Sequence, residues 1–341
     1  MKNLLKSIIF LLLLILSINY LNRVFIPNFT TYNIFPEYEK LSKNSIDVLF
    51  LGDSNIYSDI SPLEMYNDYG FTSFDYASPA STAYLNFFML KEALKTQHPK
   101  IVMMDVTTIF NQIESPEMRR MYTDLMPNDE IKLSLVNDSL YNYTFQDKIS
   151  SFIPFFRYHS RWNKIKSFGR TKTNPNDLLN RGYIFNEAKR AGKHSDTYMD
   201  FTNVEATFKS DYLPQAIINI KNYLASQDIE FILVSMPDAT AWSYDKTAKM
   251  VEWTATNQIN YLDLNLMVKD LKLDLNTDSS ENGMHLNILG AEKVSRYLGD
   301  YLSSKYELPD HRHDPSYQDW NNDYQSYLQI KAQNIEELNQ N

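Results

Sequence analysis

Short apolar runs along the chain predict five buried strands, each followed by a segment with helical periodicity. The first run, Ile46–Leu51, is apolar except for Asp47 and ends in Gly52-Asp53-Ser54, a pattern typical of a buried parallel strand that meets a turn. The later runs have the same character: Ser73–Tyr76, Ile101–Val106, Phe231–Ser235 and Ile259–Leu264. This alternation predicts an α/β fold with a doubly wound, mostly parallel five-stranded sheet and right-handed crossovers.

Capping and breaking residues mark the predicted helices between these strands. Ser61-Pro62 places a proline in a first helical turn, and Pro99 ends the amphipathic stretch Ala83–Lys95. Helices are also predicted over 211–224 and 246–255, and Leu286–Leu302 is the predicted closing helix.

The alternation stops between the third and fourth predicted strands. Residues of about 110–205 are rich in Asp, Asn, Tyr and Arg and contain an aromatic cluster at Phe152–Trp162. We interpret this stretch as a large insertion of helices and loops inside an α/β domain that spans 46–306. An extended stem over 27–45 is expected before the domain. A polar, solvated tail over 307–341 is expected after it, with one helix over Tyr317–Leu338.

The amino terminus has the pattern of a secretory signal or a signal anchor. Lys2 and Lys6 precede an apolar run, and the stretch Leu4–Ile26 is long enough for a bilayer, which needs ~20 residues. Small residues in an A-x-A arrangement are absent near 19–27, which favours an uncleaved transmembrane anchor over 1–26 rather than a removed peptide. The basic residues predict a single-pass protein of the cell membrane whose domain lies outside.

Composition excludes several classes of function. The 33 Lys and Arg against 42 Asp and Glu give a net charge of −9, so no basic footprint for nucleic acid is present. With no cysteine in the chain, disulfides, thiolate zinc sites, iron–sulfur clusters and a cysteine nucleophile are excluded. None of the eight glycines forms a G-x-G-x-x-G motif or a P-loop, and no metal or organic cofactor is expected.

Ser54 and His285 are the candidate nucleophile and general base. Ser54 follows the first predicted strand, and ligands in open α/β sheets bind at the carboxyl ends of strands. A serine nucleophile needs a base, and His285 is the histidine at the start of the closing helix, on the same edge of the sheet. Taken singly, Ser54 is more often a turn residue and His285 more often structural, so their pairing is what favours catalysis.

These two regions resemble the end motifs of the SGNH/GDSL hydrolase superfamily. Phe50-Leu-Gly-Asp-Ser-Asn55 is similar to its first motif, and Gly283-Met-His-Leu-Asn-Ile-Leu-Gly-Ala-Glu-Lys293 to its last. The similarity covers about 46–106 and 212–302. It is closest to membrane-anchored SGNH-like proteins of low-GC Gram-positive bacteria, whose sequences Arg157-Tyr-His-Ser-Arg-Trp162 also resembles.

The resemblance implies a flavodoxin-like SGNH hydrolase fold and ester chemistry by a Ser–His–acid triad. Ser54 would attack an acyl carbonyl, and His285 would take its proton. The oxyanion would bind the N–H of Ser54 and, because the family's usual glycine is absent, that of Ala77 or Ser78. No asparagine of the third family motif is visible in Asp105-Val-Thr-Thr108, and only Asn111 lies near it in sequence.

The acid partner of His285 departs from the family pattern. Asn282 stands where the family has an aspartate, three residues before the histidine. Glu281 is our first choice for the acid because its longer side chain and the flexible Gly283 let it reach the ring. Asp278 is the fallback, and a histidine without an acid is the third alternative.

The function implied is that of an extracytoplasmic serine O-acyl esterase or acyltransferase, acting with an acetyl or similar group. The expected substrate is a cell-envelope glycan, teichoic acid or peptidoglycan, and a membrane protein that donates the acyl group is a further expected partner. Two alternatives stay open: a catalytically inactive envelope binding or assembly protein, and a secreted lipase. Tyr158 and Trp162 are candidates for stacking on a sugar or for a core role in the insertion.

Overall fold

Five parallel strands form the central sheet of the protein. The structure is a computed structural model that describes residues 2–27, 34–110, 115–164, 180–185, 198–200 and 206–340. The strands are paired in the order β2-β1-β3-β4-β5, with the bounds β1 Val48–Gly52, β2 Ser73–Ala77, β3 Ile101–Asp105, β4 Glu230–Ser235 and β5 Asn260–Asp263. The predicted doubly wound, five-stranded parallel sheet is therefore confirmed.

The order of the strands places a crevice at the carboxyl end of β1. The chain leaves β1 toward β2 on one side and later returns to β3 on the other, which is the topological switch point where ligands bind in such sheets. All residues of β1 are buried because helices cover both faces of the sheet. This burial explains why the strand is a nearly unbroken apolar run.

The helices lie on both faces of the sheet and at its ends. They are α1 Lys2–Phe25, α2 Ile34–Tyr38, α3 Ser54–Asp59, α4 Pro62–Tyr69, α5 Ala83–Ala93, α6 Pro116–Thr123, α7 Glu130–Val136, α8 Phe145–Phe152, α9 Phe155–Tyr158, α10 Tyr212–Ala225, α11 Tyr244–Thr256, α12 Leu275–Asp278, α13 Ile288–Lys305 and α14 Gln318–Gln340. Helix α5 packs against α10, while α4 packs against both α13 and α14. A small antiparallel pair, β6 Ser279–Ser280 and β7 His285–Leu286, precedes α13.

Helices α6 to α9 occupy the segment that we interpret as an insertion. Within the described part of 110–205, namely residue 110, 115–164, 180–185 and 198–200, the chain contains helices and turns but no strand. The segment 180–185 packs against the sheet, since the N–H of Asp75 donates to the carbonyl of Arg181 at 2.9 Å.

The segments before and after the α/β core differ from the predicted stem and solvated tail. Residues 28–33 lie outside the described residues, but Ile34–Tyr38 is a helix whose apolar side chains pack on β2 rather than an extended stem. In the tail, α14 is a helix as expected, yet Trp320, Tyr327 and Leu338 are buried. The polar composition of the tail hid this apolar face, which covers α4.

Candidate active site

Ser54 begins helix α3 directly after the central strand β1. Asp53 caps this helix by accepting a hydrogen bond from the N–H of Asn55 at 3.0 Å. A Cβ at Gly52 would lie 2.6 Å from Ile56 and 3.2 Å from the side chain of Asp105, so only glycine allows α3 to turn this tightly against β3. Half-buried Ser54 is thereby held at the carboxyl edge of the sheet.

His285 lies on β7, immediately before α13, and is buried. The preceding turn contains three consecutive residues in the left-handed region, with φ of 47° at Glu281, 58° at Asn282 and 87° at Gly283. Such backbone is unfavourable for residues other than glycine, which indicates that the surrounding contacts impose this turn. One of those contacts is the hydrogen bond from the N–H of Ala239 to the carbonyl of Gly283, 2.9 Å long.

Helix α3 and strand β7 pack against each other, so the structure brings the elements that carry Ser54 and His285 together. The link is a hydrogen bond of 2.8 Å from the N–H of Leu286 to Oδ1 of Asp59, the last residue of α3. Asp59 is fully buried, and burial raises the pKa of its carboxyl well above the usual range. A neutral acid in this place costs less than a buried charge, while its carbonyl oxygen still accepts the hydrogen bond.

The imidazole of His285 is kept neutral. Burial lowers its pKa to about 4, and the negative charge of Asp238 opposes this shift. The ring can therefore accept a proton at neutral pH, as a general base must. Its Nδ1 atom is buried and has no hydrogen-bond partner among the described residues.

The two predicted acids differ in position. Glu281 lies beside His285, with its Oε2 3.8 Å from Nε2 of the ring, and its side chain is 61% exposed. This separation is longer than a hydrogen bond. Asp278 instead binds Nζ of Lys293 at 2.6 Å and the N–H of Asp274 at 2.7 Å, contacts that stabilise the turn before β6. Of the two, Glu281 is the one that contacts His285.

The predicted oxyanion donors are only partly available. The N–H of Ser78 donates to the carbonyl of Gly52 at 3.2 Å, and Ala77 is paired with Gly52 in the sheet. The N–H of Ser54 belongs to the first turn of α3, where backbone donors have no partner inside a helix. Ser78 is therefore the predicted donor whose N–H is engaged, and Asn111 lies outside the described residues.

Tyr57 and Asp238 were not predicted as site residues. The phenol of Tyr57, one helical turn after Ser54, hydrogen-bonds the Ser54 side chain, and burial raises its pKa above the usual range. Asp238 follows β4, and its Oδ1 accepts hydrogen bonds from the N–H of Thr240 at 2.8 Å and of Ala241 at 3.1 Å. Asp238 lies just past the apolar run of β4, and this position is the sequence signal that could have identified it as a site residue.

A pair of buried carboxyls lies behind Ser54. Burial and repulsion by the charge of Asp105 raise the pKa of Asp53. Burial also raises the pKa of Asp105, although hydrogen bonds from Thr107 and Asn55 lower it. Both carboxyls line a narrow pocket, whose other walls include Thr82, Asn86, Ile109 and Leu213. Among the described residues, no cluster of three or more His, Asp or Glu side chains is arranged to hold a metal ion.

Solved structures with a similar fold include two proteins from Bacteroides species. A GDSL-like lipase from Bacteroides thetaiotaomicron is 10% identical, with a TM-score of 0.40, over 82% of this chain and 100% of that chain. A putative acylhydrolase from Bacteroides fragilis is 11% identical, with a TM-score of 0.39, over 79% of this chain and 93% of that chain. No protein-family model matches the sequence, and no curated protein is similar to it.

Proposed function

We propose that this protein is a serine O-acyl esterase or acyltransferase, anchored in the cell membrane and acting outside it. Its substrate is a cell-envelope glycan, teichoic acid or peptidoglycan carrying an acetyl or similar short acyl group. The single observation that carries the proposal is the connection between the two reacting elements: Asp59 at the end of the Ser54 helix binds the backbone beside His285.

The chemistry follows acyl transfer through a covalent intermediate. The Oγ atom of Ser54 attacks the ester carbonyl carbon, and its proton passes to the neutral ring of His285. When the carbon–oxygen bond of the leaving alcohol breaks, His285 returns the proton to that oxygen. A water molecule or a sugar hydroxyl then attacks the acyl-enzyme by the same proton path, releasing an acid or a new ester.

The pocket behind Ser54 supports a small acyl group. It is narrow, with free space for little more than a water-sized group. The wall combines apolar side chains, Ile109 and Leu213, with the amide of Asn86. A short acyl chain fits such a mixed wall better than a long one.

The membrane location is supported by α1. This helix of 24 residues has a mean hydropathy of 2.3 over its most apolar window and is long and apolar enough to cross a membrane, as an anchor or as a signal sequence. We propose the anchor, with the amino terminus inside the cell and the α/β domain outside.

A second candidate function is that of a catalytically inactive envelope binding or assembly protein. Two observations favour it: Nδ1 of His285 has no hydrogen-bond partner among the described residues, and the N–H of Ser78 is already engaged. Loss of one oxyanion donor costs ~10²–10³ in rate. The two candidates therefore differ in whether Ser54 reacts.

Covalent labelling of Ser54 tests the proposal. The full chain in detergent is incubated with a fluorophosphonate or an activated acetyl ester, and intact mass is measured. We expect one adduct on the parent chain, none on Ser54→Ala, and one on Ser78→Ala, which removes a buried hydroxyl without a hydrogen-bond partner from the same edge of the sheet. A parent chain that stays unlabelled favours the assembly protein.

A further inference from the structure

The last turn of α1 is built into the folded domain through α9. The Oδ1 atom of Asn22 accepts a hydrogen bond of 2.8 Å from the N–H of Phe155. The ring of Phe25 is buried and meets that of Phe155 edge-on at 5.1 Å between centroids. Because of these contacts, the folded domain lies directly at the carboxyl end of α1 and is not separated from it by a flexible linker.

Arg161 caps the same end of α1. Its guanidinium donates to the carbonyl of Phe25 at 2.7 Å. The last carbonyls of a helix have no partner inside the helix and carry its negative dipole end, so a cation there stabilises the terminus. Without Arg161 this carbonyl would have to find a partner at the membrane surface.

The length of α1 places this junction at the level of the lipid headgroups. At ~1.5 Å per residue its 24 residues extend about 36 Å, against ~30 Å for the hydrocarbon core. The most apolar window is not buried in the protein, and the hydroxyl of Ser17 is satisfied by the carbonyl of Leu13 at 2.8 Å. With Lys2 at one surface, Arg23, about 32 Å further along the helix, reaches the other.

Two large aromatic side chains are exposed beside this junction. Phe156 is 52% exposed and Trp162 is 71% exposed, and both belong to segments that contact α1. The neighbouring side chains point inward: Arg157 and Tyr158 both bind the buried carboxylate of Asp124. The orientation of α9 is thus set from the inside, which leaves Phe156 facing out.

We infer that Phe156 and Trp162 insert into the headgroup region of the membrane that α1 spans, and that they hold the α/β domain in one orientation on its surface. Tryptophan is enriched at this depth because it has an apolar body and a polar N–H group, and phenylalanine is common on surfaces that insert at the interface because it adds apolar area. The occupant of this surface is the lipid bilayer, since the patch continues directly from the end of α1. The inference rests on the membrane location in the proposed function and is independent of the chemistry of Ser54.

The absence of cysteine makes the chain suitable for single-site spin labelling. The full chain is reconstituted in vesicles of phosphatidylglycerol and phosphatidylcholine after labelling at Phe156→Cys or Trp162→Cys. Leu12→Cys, inside α1, marks the membrane core, and Val251→Cys, on α11 with a side chain 50% exposed, is the control in water. Collision rates with oxygen and with a water-soluble nickel complex are measured for each label.

We expect labels at 156 and 162 to collide with nickel at least about fivefold less often than the label at 251, and more often than the label at 12. Labels at 156 and 162 that match position 251, while position 12 stays protected, would overturn the docking and leave the anchor intact. A label at 12 that is open to nickel would overturn both the docking and the membrane location. Neither outcome bears on whether Ser54 labels with a fluorophosphonate.

Fluorescence provides a second measurement on a minimally changed chain. Of the four tryptophans, Trp162 is exposed, Trp253 is half-buried, and Trp242 and Trp320 are buried. Bromine-labelled lipids should therefore quench the parent chain more than Trp162→Phe. Equal quenching of the two chains would contradict the inference. If soluble peptidoglycan fragments shift the Trp162 emission and the lipids do not quench it, the surface binds glycan instead and the lipid occupant is wrong.

Discussion

Asp59 accepts a hydrogen bond of 2.8 Å from the N–H of Leu286, 227 residues further along the chain. This contact joins the last residue of the Ser54 helix to the residue after His285. The other carboxyl oxygen of Asp59, Oδ2, is buried without a hydrogen-bond partner among the described residues. In the proposed reaction Asp59 is therefore a positioning residue, which would act through the distance between Ser54 and His285.

Replacement of Asp59 should change catalysis according to whether an acceptor remains. Burial raises the pKa of the Asp59 carboxyl and so favours its neutral form. Asp59→Asn keeps the carbonyl acceptor and should retain activity within about tenfold, whereas Asp59→Leu should lose ~10² in kcat, the cost of a displacement of about 1 Å. Steady-state kinetics and thermal unfolding are measured together. Equal losses of kcat in both variants would mean that the contact does not set the site.

The acid limb of the pH profile of kcat/KM should lie at an unusually low pH. Because the pKa of His285 is lowered to about 4, kcat/KM is expected to stay level down to about pH 5 and to fall below it as the base is protonated. The charge of Asp238 raises this pKa, so Asp238→Asn should move the limb to lower pH. A limb near 6.5, the ordinary histidine value, in the parent chain would contradict the neutral buried base.

Glu281 remains our proposal for the acid. A rotation of its exposed side chain can shorten the 3.8 Å separation to a hydrogen bond when substrate binds, because catalytic hydrogen bonds are often long in the free enzyme. Glu281→Gln should then lose ~10³–10⁴ in kcat, as when a triad carboxylate becomes an amide. Asp278→Asn is the matched variant: it breaks the ion pair with Lys293 and should lower the unfolding temperature while changing kcat little.

Parental kcat in Glu281→Gln would exclude Glu281 as the acid. His285 would then act without a hydrogen-bonded carboxylate, with Asp238 as the charge that most affects it.

Tyr57 should contribute the oxyanion donor that the backbone lacks. Burial keeps its phenol protonated, and its hydroxyl hydrogen-bonds the side chain of Ser54. Tyr57→Phe should lose ~10²–10³ in kcat with little change in KM, the usual effect of removing one such donor. Tyr38→Phe is the control, because that hydroxyl donates to the carbonyl of Ala93 away from the site. Equal kcat in both variants would exclude Tyr57 from the oxyanion site.

Asp75 should make the protein less stable as the pH rises. Burial raises the pKa of its carboxyl well above the usual range, and neither oxygen has a hydrogen-bond partner among the described residues. Above about pH 4 the unfolded state has released a proton that the folded state still holds on Asp75. The contribution of Asp75 to the free energy of unfolding therefore falls by ~1.4 kcal/mol per pH unit until the folded carboxyl ionises. Asp75→Asn should remove this slope and raise the unfolding temperature more at pH 8 than at pH 5.

Exposed Asp300, on α13, provides the comparison for Asp75. Asp300→Asn should leave the pH dependence of unfolding unchanged. If Asp75→Asn shows the parental slope, the buried carboxyl finds a partner when it ionises.

The pattern of apolar residues along the chain predicted the central sheet and the positions of Ser54 and His285. Strands buried on both faces are largely apolar, so Val48–Gly52, Ile101–Asp105 and Glu230–Ser235 appear in the sequence as short apolar runs bounded by polar residues. The same rule located Ser54, which directly follows β1, whereas His285 was located by the helical pattern that it precedes. Local periodicity also predicted the helix over the tail, although its buried face depends on contacts with α4 that no local pattern contains.

Only the tertiary structure decided which side chains surround the reacting pair. Asp59 and Asp238 are ordinary aspartates in the sequence, and their roles follow from burial and from contacts with residues 227 and 47 positions away. The same holds for Ser78, whose N–H donates to Gly52, and for Asp278, which binds Lys293 rather than His285. Hydrogen bonds and pKa shifts depend on distances and on the exclusion of water, and both are set only when distant segments pack together.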